Sequence, residues 1–153
     1  MMLRLLPIER DGAVAGLAVE LPPPAREACT MTAQLYARSG FEPPWTGYVA
    51  LRDGAVVGTC AFKTAPRDDR VEIAYYTMPS HEGEGVATAM AHELIEIARS
   101  ERPDITVTAQ TLPEENASTA ILRKLGFAHA GMLHTAEDGD VWDWHLHPGF
   151  RLR

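Results

Sequence analysis

In the segment EIAYYTMPSHEGEGVATAM, residues 72–90, a carboxylate, two tyrosines and a glycine loop follow one another. Glu72 lies in the β-rich run VEIAYYTM, which Pro79 interrupts. A carboxylate there could accept a proton from an attacking amine, directly or through water, or could simply face solvent. Tyr75 and Tyr76 read as ordinary strand aromatics, one turned to the core and one to the other face. Beyond Pro79, Gly83, Gly85 and the small Ala87 leave backbone amides bare. Next comes VATAMAHELIEIARS, where Ala87, Met90, Ala91, Leu94 and Ala98 recur at helical spacing. A strand, a glycine loop and a helix make a general anion site, because the first-turn amides and the positive end of the helix dipole point at one spot. Glycine before a helix is equally an ordinary turn.

Glu82 and Glu84 set two negative charges in that loop. An anion held there must rest on backbone amides, and the expectation is that Glu84 turns out to solvent while Glu82 stays at the rim. A nucleoside triphosphatase loop is excluded, since no Gly-x-x-x-x-Gly-Lys-Ser/Thr is present. The dinucleotide pattern also fails, because Thr88 stands where its third glycine belongs.

A second group lies in ENASTAILRKLG. Asn116 suits a helix N-cap, Arg123 and Lys124 suit the negative carboxyl end, and Gly126 suits a left-handed cap. Trp142 and Trp144 alternate onto one face of a strand, as core residues or as a pocket wall. His145 and His147 share a strand face, but no third ligand is near, and no metal is expected. Cys29 and Cys60 lack Cys-x-x-Cys spacing and read as buried thiols in a reducing, cytoplasmic setting.

The elements positioning these groups follow from periodicity and turn chemistry. The 153 residues suffice for one domain, 1–153, with a real core. No apolar run approaches the ~18 residues that cross a bilayer, and the amino terminus lacks a cleavage signal, so no membrane partner is expected. Lys and Arg number 14 against 21 Asp and Glu, a net charge of −7, which argues against nucleic acid and is compatible with a basic acceptor. LRLLPIE reads as a strand, AREACTMTAQLYARS as a helix stopping at Gly40, and GYVAL with AVVGTCAFK as a hairpin turned by Asp53-Gly54. ITVTAQTL is another strand, and AHAGMLH with DVWDWHL a closing hairpin. The order β-α-β-β-β-α-β-α-β-β gives a single-domain α/β fold, one mixed, mostly antiparallel sheet flanked by helices.

Residues 72–90, and later QTLPEENASTAILRKLGF, resemble the two signatures of the GNAT superfamily of N-acetyltransferases. The resemblance covers about residues 46 to 146 and is nearest the ribosomal-protein N-terminal alanine acetyltransferase-like branch. Gly85 and Ala87 match the last two fixed positions of the acetyl-coenzyme A motif, and Glu82 replaces its Gln or Arg. The resemblance implies acetyl transfer from acetyl-coenzyme A (acetyl-CoA) to a primary amine, on a small molecule or a peptide, by direct attack in a ternary complex. It implies that the strand ending at Met78 splays from ITVTAQTL, freeing amides near Tyr76, Thr77 and Met78 for pantetheine. The loop Glu82, Gly83, Glu84, Gly85, Val86, Ala87 and Thr88 would take the pyrophosphate, and Asn116 would meet the pantetheine arm. Glu72 becomes the candidate base and Ser118 the candidate proton donor to the leaving sulfur. Glu82 keeps a rival open, an acyl-CoA sensor that transfers nothing. A second copy of the chain is left open as a partner.

Overall fold

A computed structural model describes residues 2–149; the ends of the expected 1–153 domain, residue 1 and residues 150–153, lie outside the described residues. The elements are β1 (Leu3–Pro7), α1 (Pro23–Ser39), β2 (Gly47–Arg52), β3 (Ala55–Phe62), β4 (Arg70–Thr77), α2 (Val86–Glu101), β5 (Thr106–Thr111), α3 (Ala117–Lys124), β6 (Ala128–Thr135) and β7 (Gly139–Leu146). That is the order expected from the sequence, with one 3-10 turn added at Pro79–His81. Helix α1 starts earlier than expected, within the proline run, because a proline in the first turn gives up an N–H that would be orphaned anyway.

One seven-stranded sheet has the order β1-β2-β3-β4-β5-β7-β6, antiparallel everywhere except between β4 and β5. The β2–β3 turn has Asp53 at φ 52° and Gly54 at φ 80°, the doubly left-handed turn that matches strand twist. Alternation along the strands sends residues to two separate cores. Tyr48, Ala50, Phe62, Val71 and Ile73 meet the apolar stripe of α2, formed by Val86, Met90, Ala91, Leu94, Ile95 and Ala98. Val49, Leu51 and Met78 meet Ala25, Cys29 and Tyr36 of α1 on the other face. The Tyr36 hydroxyl locks α1 to the sheet, donating to the Ile8 carbonyl at 2.9 Å and accepting from the Gly47 amide at 2.8 Å.

Both cysteines are free and buried, in different cores. Trp144 is fully buried and donates its indole N–H to Thr111 Oγ1 at 3.0 Å, and Trp142 packs beside it, so both belong to the core. Among the described residues no helix is long and apolar enough to cross a membrane.

Candidate functional site

Strands β4 and β5 pair only from Arg70–Thr106 to Glu72–Thr108. Beyond that point residues 73–77 and 109–111 diverge, each strand still held by its outer neighbour. Backbone groups alternate sides along a strand, so the parity of known bonds identifies the open amides. The Glu72 carbonyl accepts from Lys63, and the Met78 amide donates to the Val57 carbonyl at 2.9 Å; even-numbered residues of β4 therefore face β3. The Asp69 carbonyl accepts from the Thr106 amide on β5, so odd-numbered residues face the gap. The Ile73 amide still meets the Thr108 carbonyl in the last parallel pair, so the open amides are those of Tyr75 and Thr77. Of the three residues expected to offer amides here, Thr77 turns its amide to the gap, whereas those of Tyr76 and Met78 point toward β3. The Tyr76 side chain is 47% exposed.

Beyond β4 the chain makes the 3-10 turn and reaches Gly85, the N-cap of α2, at φ 81°. Gly85 has no side chain to cap the helix, and no acidic residue occupies the first turn, so the amides of Val86, Ala87 and Thr88 stay uncapped. The Val86 side chain is buried beneath them, which anchors the turn. Gly83 and Gly85 both have positive φ and open space on their Cβ side. Glu84 is exposed, yet its carboxylate is paired. Its Oε1 pairs with the Arg52 guanidinium and lies 3.0 Å from His81 Nδ1. Arg52 first, then His81, hold the Glu84 carboxyl below the usual carboxylate range. Antiparallel pairing of β3 with the end of β4 brings the β2–β3 turn, and Arg52 with it, beside this loop. Glu82 is exposed and makes no ion pair among the described residues.

Glu72 and Ser118, far apart in sequence, line one cavity of about 120 Å³ in the gap between β4 and β5, with Tyr75 and Lys63. Lys63 Nζ stands 2.9 Å from Glu72 Oε2, but off the hydrogen-bond direction, so this is an ion pair without an aligned bond. Burial pushes the Tyr75 phenol up to about 12, so it stays protonated at neutral pH. Asn116 is the N-cap of α3: its Oδ1 accepts from the Thr119 amide at 3.0 Å, and Thr119 Oγ1 accepts from the Asn116 amide at 2.9 Å. This reciprocal box commits the carbonyl end of Asn116 to the helix.

On the α1 face of the sheet a groove of about 840 Å³ runs from α1 to the β6–β7 turn, with Glu72 in its floor. Strand register sets Glu72, Thr108 and His145 side by side across β4, β5 and β7. His145 Nε2 lies 2.8 Å from Asp143 Oδ2, and both also line the groove. Sequence reading considered His145 only with His147 as a metal pair and missed Asp143; the i, i+2 spacing on one strand was the available signal. Among the described residues no group of three or more metal-ligating side chains is assembled.

Glu72 thus opens onto both the split between β4 and β5 and the groove on the α1 face, and β4 runs on from it toward the uncapped start of α2. The sequence model of the acetyltransferase (GNAT) domain family matches residues 8–128, and the chain belongs to that family. None of the curated proteins matches the chain. RimL, a ribosomal L7/L12 alpha-N-protein acetyltransferase solved with coenzyme A, superposes with a TM-score of 0.67 at 18% identity, over 95% of this chain and 94% of that one. Mycobacterium smegmatis RimJ, in complex with CoA-disulfide, gives 0.64 at 23% identity, over 79% of this chain and 59% of that one. IAA acetyltransferase from Bacillus cereus ATCC 14579 gives 0.66 at 16% identity, over 95% and 98%. At these identities the likeness is one of fold.

Proposed function

We propose that the chain is an acetyl-CoA-dependent N-acetyltransferase acting on a primary amine by direct attack in a ternary complex. The observation that carries this reading is that the β4–β5 split, which leads from the uncapped start of α2, meets a second groove at Glu72. The residues fit the co-substrate. Uncapped amides of Val86, Ala87 and Thr88 suit its pyrophosphate, and the open amides of Tyr75 and Thr77 suit its amide-bearing arm. Coenzyme A in solved relatives of this fold supports the same assignment. When bound, acetyl-CoA supplies an acyl group already activated as a thioester.

The chain's own residues then have distinct tasks. A lysine-like amine has a pKa of about 10 and arrives protonated, so a base must take its proton. Glu72 opens onto both the cavity and the groove and fills that role. Ser118, in the same cavity, holds a proton for the leaving sulfur, and a gap-facing amide donates to the acyl oxygen. A covalent acetyl-enzyme is disfavoured, because both cysteines are buried and burial pushes both thiols up. One observation favours a second reading of the base: Lys63 already engages Glu72, while Asp143 fixes the His145 imidazole over the same groove. The relatives' names span ribosomal protein N-termini and aminoglycosides, so small-molecule and peptide amines both belong in the test. The experiment is thiol release from acetyl-CoA with such a panel, at varied concentrations of both substrates. Amine-dependent release with intersecting initial-velocity lines is expected. Tight acetyl-CoA binding with no release for any amine would instead favour a sensor.

A further inference from the structure

The short turn between β3 and β4 contains a charge arrangement that the fold does not explain. Arg67 and Arg70 bond to each other in both directions at 2.9 Å, amide to carbonyl, as an isolated antiparallel pair. Asp68 and Asp69 close the turn at φ 51° and 59°. Residues bonded in this way lie directly opposite and send their side chains to the same face. Two arginines so placed repel one another, and like charges directly opposite destabilise a strand pair. Both line the groove, as does Arg38 of α1. None of the three forms an ion pair among the described residues; of the nearby carboxylates, Asp69 and Glu72 are taken by Arg102 and Lys63, and the exposed Asp68 pairs with none of the three. Three guanidiniums without counter-ions in one groove run against a chain of net charge −7. The opposite wall carries Glu137, Asp138 and the Asp143–His145 pair, so positive and negative sides face each other.

Arg70 stands two residues before Glu72 on the same face of β4, a spacing of about 7 Å along the strand. On the acetyl-transfer reading above, on which this inference rests, Glu72 marks where the reacting nitrogen sits. We infer that Arg67 and Arg70 form an anion subsite, and that the acceptor is a primary amine carrying a carboxylate about 7 Å from its nitrogen. Arg is suited to this, because its planar fork meets a carboxylate with two parallel hydrogen bonds. The composition alone was compatible with a basic acceptor; the groove selects a dipolar one.

Two probe pairs test the inference and separate its sources. The first is 5-aminopentanoate against 5-aminopentanamide. The second is an amidated dipeptide with aspartate, or asparagine, in second position. Calorimetry with coenzyme A present reads binding, and thiol release reads transfer. In the wild type the acid of at least one pair is expected to bind about tenfold tighter than its amide. The advantage should shrink with added salt. In the double variant Arg67→Gln/Arg70→Gln the ratio should fall to about one. Both arginines are exposed, so folding should survive, and a ratio measured within one protein is insensitive to any unfolded fraction. The pair with the larger ratio identifies a small molecule or a peptide as the acceptor. Equal binding of acid and amide in both pairs, or a ratio that survives the double substitution, overturns the subsite. Thiol release without discrimination does so while leaving acetyl transfer standing. Discrimination in binding with no thiol release from any amine sinks acetyl transfer and leaves the subsite.

Discussion

Gly58 bears on the glycine loop indirectly, through the packing of α2. It lies in β3 opposite Thr77, where α2 crosses the sheet. A Cβ added there would sit 2.7 Å from the Tyr76 carbonyl oxygen and 2.8 Å from both Cε and Sδ of Met90. Ordinary contact begins near 3.4 Å, so about 0.6–0.7 Å must be found. Met90 is fully buried, and the Tyr76 oxygen is backbone, so neither yields freely. Overpacking of this kind costs about 1–3 kcal/mol. For a domain of this size each kcal/mol lowers the melting temperature by about 2–4 °C. Gly58→Ala should therefore melt roughly 2–12 °C below the wild type. The relief route matters for function, since pushing Met90 outward moves α2 and the amides at its start. KM for acetyl-CoA should rise with little change in kcat. Thermal melts and steady-state kinetics on one preparation decide it. An unaltered melting temperature would refute the packing argument, and a lower one with unaltered KM would uncouple α2 from the cofactor.

Three further outcomes follow from the loop and α3. Glu82→Arg removes the loop's unpaired negative charge, so coenzyme A should bind roughly three- to tenfold tighter at low salt and less so at high salt; weaker binding would show that the loop is not the phosphate site. The Glu84 carboxyl is held below its ordinary value by Arg52, so the pair contributes stability above the ordinary carboxylate range and loses it as pH falls through the folded value. In urea titrations the stability gap between wild type and Arg52→Gln should be present near about pH 6 and close below about pH 4; a gap of equal size at both would contradict the pairing. Asn116→Asp keeps the cap acceptor and removes the amide donor, so the melting temperature should hold while KM for acetyl-CoA rises; an unaltered KM assigns Asn116 to the helix alone.

Much of this was legible in local sequence. The Asp53-Gly54 turn, the α2 stripe and the Gly126 cap are local features, and each formed where its residues placed it. The split between β4 and β5 followed from resemblance, but which amides near Tyr76 to Met78 lie open was not legible, because parity depends on how β3 pairs. The pairing of Glu84 was not legible because its partner, Arg52, lies 32 residues away and approaches only through the β3–β4 pairing. Gly58 was missed because its need for glycine comes from α2 crossing above it, and Arg67 with Arg70 because two arginines in a polar turn look like solvated charge.

The most direct test of the central claim compares turnover by the wild type and Glu72→Gln, using acetyl-CoA, the best amine of the panel and a pH of about 7. Removing the general base should lower kcat by about 10²–10⁴-fold and leave coenzyme A affinity nearly unaltered. Wild-type turnover in Glu72→Gln would contradict it and reduce Glu72 to a strand residue paired with Lys63.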